Sequence, residues 1–463
     1  MRFSQLRRTA AVAAVGAVAL ALTGCGTTTG TQAGTQAAAS PVSSATKASI
    51  TWWSWTPDND VAAREIAAFN KQYPGIEVTY KKVPIDNYAA ILRPALSSND
   101  GPDVYTVNAS GSFSGQTFAP HAYDLTAAMT KQLGADWRSK VFPGGTNAWT
   151  VKGKLVASEW GKTGAGIMWI DQDIFTKYGL KPPTNLAQWK TLCATFRSKG
   201  LGCFREAIAG TAGFVLDTLH SIADNIQPGA WTDALAGKRK WTDPVFVQTL
   251  QMLQTLATEK ILDPGAVGIM QYPDVNNAFL SGKVPMVQMG TWYTQYATDT
   301  SLTSALQGAG VASNTTKVTI VPVPFPDLTG KGNPPTLFAD PDAGQSVNAK
   351  SKNRNAAVTF ALWLGASTQG AQVVANNVDT FPTLKGVGPQ WDGIKLVNKT
   401  VQLPLVQKLT TQLQNATEPR SNGLGAQTSQ AIINASQAVV SGKSPAAQVG
   451  AIQQAADQDK QGH

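Results

Sequence analysis

Between residues 50 and 107 the sequence changes its hydrophobic period twice. Ile50-Thr51-Trp52-Trp53-Ser54-Trp55 alternates and is rich in β-formers, so it reads as a strand. Thr56-Pro57-Asp58-Asn59-Asp60 breaks that run and supplies capping side chains. Ala62, Ile66, Phe69 and Tyr73 then recur at helical spacing until Pro74-Gly75 stops them. Ile76, Val78 and Tyr80 alternate again, and Asp100-Gly101-Pro102-Asp103 turns into a third strand from Val104 to Val107. A strand, a crossover helix and a further strand pair as parallel neighbours, so the pattern predicts an α/β sheet with parallel strands.

With 463 residues there is chain for two to three domains. The middle is richer in helix. Asp243 caps and Pro244 fills the first helical position before Phe246, Leu250, Leu253 and Ala257 line one face. Asn276 to Leu280 begins a short helix, and a strand follows within Gly282–Met289. Val318 to Pro326 (VTIVPVPFP) is β-like but interrupted by proline, which suits an edge strand or a crossing between lobes. Asp340-Pro341-Asp342-Ala343-Gly344 reads as a turn, and helical spacing returns over 354–366 and from Thr428 to Val440.

The N-terminus carries Arg2, Arg7 and Arg8 ahead of an apolar run from Thr9 to Leu22, too short for the ~20 residues of a membrane span. It closes on Leu22-Thr23-Gly24-Cys25, the layout of a signal whose cysteine is lipidated, with 1–24 removed and Cys25 anchoring the chain. Residues 25–48 are mostly Gly, Thr, Ser, Ala and Gln, a composition that cannot repay its ordering entropy and so predicts a flexible tether. Without the three arginines the net charge falls from +9 to +6. That surplus is gathered in no Lys/Arg run, which argues against nucleic-acid binding. Cys193 and Cys203, ten positions apart in an exported chain, suggest a disulfide, with two reduced core cysteines as the alternative. Cys193 lies on the apolar face of a helix with Leu186, Trp189, Leu192 and Phe196.

Enzyme motifs fail on context. Gly111-Ser112-Phe113-Ser114-Gly115 matches a nucleophile elbow in letters only, because His121, His220 and His463 have no supporting surroundings. Gly442-Lys443-Ser444 lacks the upstream glycine of a phosphate loop. No carboxylate pair of glycosidase type can be located. Three histidines leave little room for a His-built metal site, and no cofactor is implied.

The ordered segments FNKQYPGIEVTY, NDGPDVYTV, GIMWIDQDIFTKYGLKPPTNLAQWKTLC, FLSGKVPMVQMGTWY, VTIVPVPFP, AGQSVNAKSKNRNAAVTFALWL, FPTLKGV and AVVSGKSPAAQVGAIQQAADQ cover nearly all of 50–460. Together they resemble the extracellular solute-binding proteins, family 1, the maltose-binding-protein-like receptors of ABC sugar importers. The resemblance implies a two-lobe periplasmic-binding-protein-like α/β fold with crossing strands between the lobes. The first lobe would be 49–156 with 324–378, and the second 157–323 with 379–460. It implies a non-catalytic, monomeric receptor at the outer face of the cytoplasmic membrane that closes on a sugar and serves permease subunits. Sugars need aromatic planes and fixed polar groups. By position, the contacts implied are Trp55, Thr56 and Asp58 after the first strand, and Asn108 and Ser110 after the third. Glu159 and Trp160 fall at the first crossing; Trp231, Trp292, Tyr293 and Arg420 complete the set. The family's usual Asp-Thr and Tyr-Tyr-Asn are here Lys162-Thr163 and Trp169-Ile170-Asp171. A polyamine, iron-complex or phosphodiester receptor of the same fold is the alternative, and a secreted carbohydrate-active enzyme a more remote one.

Overall fold

The opening strand forms where the alternation places it. In a computed structural model, which describes Ala39 and residues 42–461 except 211–212, 313–316 and the side chains of Pro143 and Gly145, Ile50, Trp52 and Ser54 point inward along one face. The signal peptide, Cys25 and His463 lie outside the described residues. The last residues of the expected tether differ from that expectation. Ala39 and Val42 rest against the first lobe's core, and the Ala39 N–H donates to the Tyr123 hydroxyl at 2.8 Å.

In chain order the strands are β1 (Ala48–Ser54), β2 (Ile76–Lys82), β3 (Val104–Asn108), the small hairpin β4 (Thr150–Val151) and β5 (Lys154–Leu155), β6 (Ser158–Ala165), β7 (Ile167–Asp171), β8 (Phe204–Arg205), β9 (Met286–Gln288), β10 (Ile320–Pro324) and β11 (Phe338–Val347). The first lobe's sheet runs β2-β1-β3-β11-β6 and the second lobe's β10-β7-β9-β8. The opening trio is parallel, as the sequence predicts, but β11 runs antiparallel to both β3 and β6. The second sheet is antiparallel except for β8 beside β9. Both sheets are mixed because the chain crosses between lobes by strands that enter a sheet from its far end, without a crossover helix to turn them round.

Two crossings explain this. β6 belongs to the first sheet and β7 to the second, with only Gly166 between them. Gly166 has φ +95°, and a Cβ there would lie 2.0 Å from the Thr336 carbonyl oxygen, so no other residue fits the corner. β10, the proline-bearing edge strand of the second sheet, leads to β11 in the first. The Asp340–Gly344 stretch is therefore not a turn but strand. Pro341 offers no N–H to the ladder, and the pairing with β6 shifts register across Pro341–Gly344, a bulge that leaves Asp342 out of the pairing register.

Ten of the thirteen tryptophans are buried in the cores, so packing accounts for most of them. Trp52 lies edge-on to Phe360 and Trp160 in the first lobe, its indole N–H donating to Thr106 and Gln345. In the second lobe Trp189 meets Phe204 and Phe325. Asn185 caps the helix Leu186–Ser198 that carries Trp189. Cys193 of that helix is bonded to Cys203 just before β8, with Cα atoms 5.0 Å apart. The helix Asn59–Gln72 follows β1, and Arg354–Ala366 covers the first sheet. The helices Pro244–Thr258 and Ala426–Val440 pack on Val215–Ile226 in the second lobe, and Val449–Gln461 packs on Ala426–Val440. Among the described residues no helix is long and apolar enough to cross a membrane.

Candidate functional site

The parallel arrangement of β1 and β3 brings their C-terminal ends together, where a crevice opens in α/β sheets. Asp58 stands at the N-cap of Asn59–Gln72 with extended backbone, yet its side chain makes no capping bond. Its carboxylate instead pairs with Lys82 and accepts from the Tyr296 hydroxyl of the second lobe at 2.7 Å. Thr56 donates to Asp379 at 3.3 Å, and Gln295 from the second lobe donates to the other oxygen of the same carboxyl at 2.6 Å. Arg64 and Asp60 both bond Ser301 across the lobes. After β3, Asn108 accepts from the Ser110 N–H, and Ser110 reaches the Ser421 hydroxyl at 3.1 Å.

Opposite this edge lies a set of rings. Trp292 is half-buried on the 3-10 turn Thr291–Ala297, and its indole N–H donates to the Tyr272 hydroxyl at 3.0 Å. Phe214 packs against both rings. The position of Trp292 depends on Gly290, where a Cβ would lie 1.9 Å from the indole and 2.4 Å from the Gly164 carbonyl oxygen. The Arg420 guanidinium sits over the Trp292 ring at 4.7 Å. It is held by a two-pronged bond to Asp217 at 2.8 and 2.7 Å and lies 3.6 Å from Asp342. Asp340 accepts from the Ser421 and Asn422 N–H groups and so fixes the loop that carries Arg420.

Charge in this crevice is shaped by burial. Burial pushes the Asp379 carboxyl up to about 8, helped by the negative charges of Asp58 and Asp342. Burial also raises Asp342, against the opposing pull of Arg420, and raises Asp340 against the two N–H groups it accepts. For Arg420, burial favours the neutral form, but Asp217, Asp342 and Asp340 override it and hold the guanidinium charged. One cation is thus shared among three carboxylates.

The structure brings Trp55, Thr56, Asp58, Asn108, Ser110, Trp292 and Arg420 to the junction of the lobes. Trp55 is almost covered, edge-on to Tyr88 and Phe113. The other four lie in cores. Trp160 meets Trp52, and Glu159 borders a cavity of about 10 Å³ with Trp137 and Trp149, room for about one water. Trp231 stacks on His220 and lies edge-on to Trp241, and Tyr293 donates to Asn276 at 2.6 Å deep in the second lobe. Sequence reading missed Tyr272, Tyr296, Asp342, Asp379 and Asp217. Only Asp342 carried a signal, as a carboxylate beside a proline.

The family model for "Bacterial extracellular solute-binding protein" matches residues 53–371, more than two thirds of the chain. No curated protein sequence matches. Among solved structures, a protein from work on xylan utilization by Caldanaerobius polysaccharolyticus is 20% identical with a TM-score of 0.69, covering 88% of this chain and 99% of its own. Maltose-bound MalE3 of T. maritima is 18% identical with a TM-score of 0.67, covering 89% and 99%. The GacH receptor of Streptomyces glaucescens, studied with acarbose, is 18% identical with a TM-score of 0.66, covering 89% and 98%. These likenesses share one two-lobe architecture with crossing strands, and with the match along most of its length the chain belongs to the bacterial extracellular solute-binding protein family.

Proposed function

We propose that this protein is the sugar receptor of an ABC importer, anchored outside the cytoplasmic membrane through lipid on Cys25, and that it binds its ligand without chemical change and delivers it to permease subunits. The observation that carries the reading is the meeting of rings from one lobe (Trp292, Tyr272, Phe214) with fixed polar groups from the other (Asp58, Asn108, Asp342). Sugars present apolar C–H faces and ring hydroxyls, which such a pairing suits. The xylan, maltose and acarbose work on proteins of the same fold supports this class. The direct bonds between lobes, Asp58 to Tyr296 above all, are the contacts that ligand-driven closure would stabilise. The ligand-facing set is Trp55, Thr56, Asp58, Asn108, Ser110, Trp292 and Arg420, with Tyr272 and Asp342 added.

A second reading rests on the acids. Asp58, Asp342 and Asp379 converge while Arg420 is already bound to Asp217, a balance that also suits an amino sugar or a polyamine. Tryptophan fluorescence, titrated with neutral sugars, amino sugars and polyamines, separates the two. A saturable change with one neutral sugar class, weakened about 30- to 100-fold in Trp292→Ala, is the expected result. A response to cations alone would replace the sugar reading with the second.

A further inference from the structure

The helix Val215–Ile226 places Asp217, His220 and Asp224 at i, i+3 and i+7, along one stripe. Arg420 answers the first of these. The remainder of the stripe has a different partner from the same loop, Glu418, and the three residues His220, Asp224 and Glu418 bring one donor atom each within 4.8 Å of one another.

His220 is fully buried, and neither ring nitrogen has a hydrogen-bond partner. Its ring is clamped between Phe338, whose centroid lies 3.7 Å away, and Trp231 at 5.3 Å, both nearly parallel to it. With both faces covered by rings, the nitrogens can act only in the plane of the imidazole, and Nε2 is directed at Asp224. Nε2 and Asp224 Oδ2 are 3.4 Å apart, yet they form no hydrogen bond, and Asp224 Oδ2 and Glu418 Oε2 are also buried without a partner. Buried polar atoms are nearly always paired, so three convergent unpaired donors call for an unseen partner. The His220–Asp224 spacing suits a shared cation, and Glu418 is near enough to close in as the third ligand. Two donors each about 2.0–2.1 Å from a tetrahedral Zn2+ are about 3.4 Å apart.

We propose that His220, Asp224 and Glu418 bind one divalent transition-metal ion of the Zn2+ class. Two carboxylates and a neutral imidazole offset the ion's charge, and a nitrogen donor selects against Mg2+ and Ca2+. The placement gives the ion a structural task. The Glu418 carbonyl accepts from the Ala339 N–H, Phe338 begins β11, and Arg420 is two residues further on. The ion would tie the second lobe's buried helix to the loop that holds Arg420 over Trp292, beside the strand that crosses to the first lobe.

The test uses the chain without a histidine tag, which matters because the sequence has only three histidines. After chelator treatment it is titrated with Zn2+ by calorimetry and, separately, with Co2+ followed by visible absorption. One ion per chain is expected, with an intense tetrahedral Co2+ band and no displacement by Mg2+ or Ca2+. His220→Gln and Glu418→Gln should each weaken binding more than ~100-fold, beyond what loss of an outer-shell partner costs. Glu418 is partly exposed, so its variant should remain folded, and its melting temperature should no longer rise with Zn2+. Absence of stoichiometric uptake overturns the site, and so does uptake that survives Glu418→Gln in the folded protein.

Discussion

The two walls of the crevice are built on opposite plans. The first lobe supplies polar groups from strands or their immediate ends: Asp58 after β1, Asn108 closing β3, Asp340 and Asp342 within β11. The second lobe supplies rings and the guanidinium from irregular backbone. Trp292 and Tyr296 sit on a 3-10 turn, Tyr272 in a π-type turn with non-helical backbone, and Arg420 in a loop. A carboxylate taken from water needs donors in fixed places, which a sheet provides, whereas a ring gains from any close surface and tolerates a mobile support. The consequence is that the second wall must be braced from outside its own backbone. Asp217 does this for Arg420, and Gly290 makes room for Trp292.

Removing the brace is the most severe way to break the contrast. Arg420→Met keeps most of the side chain's volume but leaves Asp217, Asp340 and Asp342 without their cation. Loss of one partner from a buried pair costs about 3–5 kcal/mol, and urea denaturation should read a drop of that size in unfolding free energy. Adding Asp217→Asn should recover more than half of it by removing the orphaned charge. A single-variant loss below about 1 kcal/mol would show that the loop is held by its backbone contacts alone and that the two walls are alike.

Asp379 joins the walls and makes the next largest effect, one of pH. Its ordinary value is 3.8 and the folded protein raises it to about 8. Between those values the unfolded chain has released the proton while the folded chain keeps it, so stability falls as pH rises across the window. Asp379→Asn should flatten that fall and leave the variant about 3–4 kcal/mol better placed at pH 8 than at pH 5, relative to the parent. Glu206, raised to about 8 by burial in the second lobe, contributes a slope of the same sign, and it remains in both proteins. Identical slopes for parent and variant would place Asp379 in a wetter crevice than the structure has.

The contrast also decides what the sequence could tell. The first wall was legible because strand ends announce themselves: alternation stops at Trp55, and Thr56, Asp58, Asn108 and Ser110 follow directly. The helix cap at Asp243 and the edge strand with its prolines were readable for the same local reason. The second wall follows no period. Tyr272, Tyr296 and Phe214 belong to turns that no hydrophobic pattern predicts, and Asp379 lies in a connection. Asp340-Pro341-Asp342 misled because the residues of a bulge within a strand are also those of a turn. Trp160, Trp231 and Tyr293 have the composition of stacking residues, but a ring that packs a core has the same letter as one that faces a sugar. Only burial separates them, and burial is a property of the whole fold.

The smallest effect is the most informative about closure. The Tyr296 hydroxyl donates to Asp58 across the two walls, and Tyr296→Phe removes that bond while keeping the ring. A hydrogen bond to a charged group contributes about 1.5–3 kcal/mol when buried. Here the Asp58 side chain is 24% exposed and keeps Lys82, so water replaces part of the loss and about 1 kcal/mol is expected. If the bond belongs to the closed state, closure weakens by that amount and the bound ligand should leave about 5-fold faster, with its association rate unchanged. Stopped-flow fluorescence reads both rates. A faster association with an unaltered departure would instead assign the bond to the ligand-free protein, and the walls would then be joined before any ligand arrives.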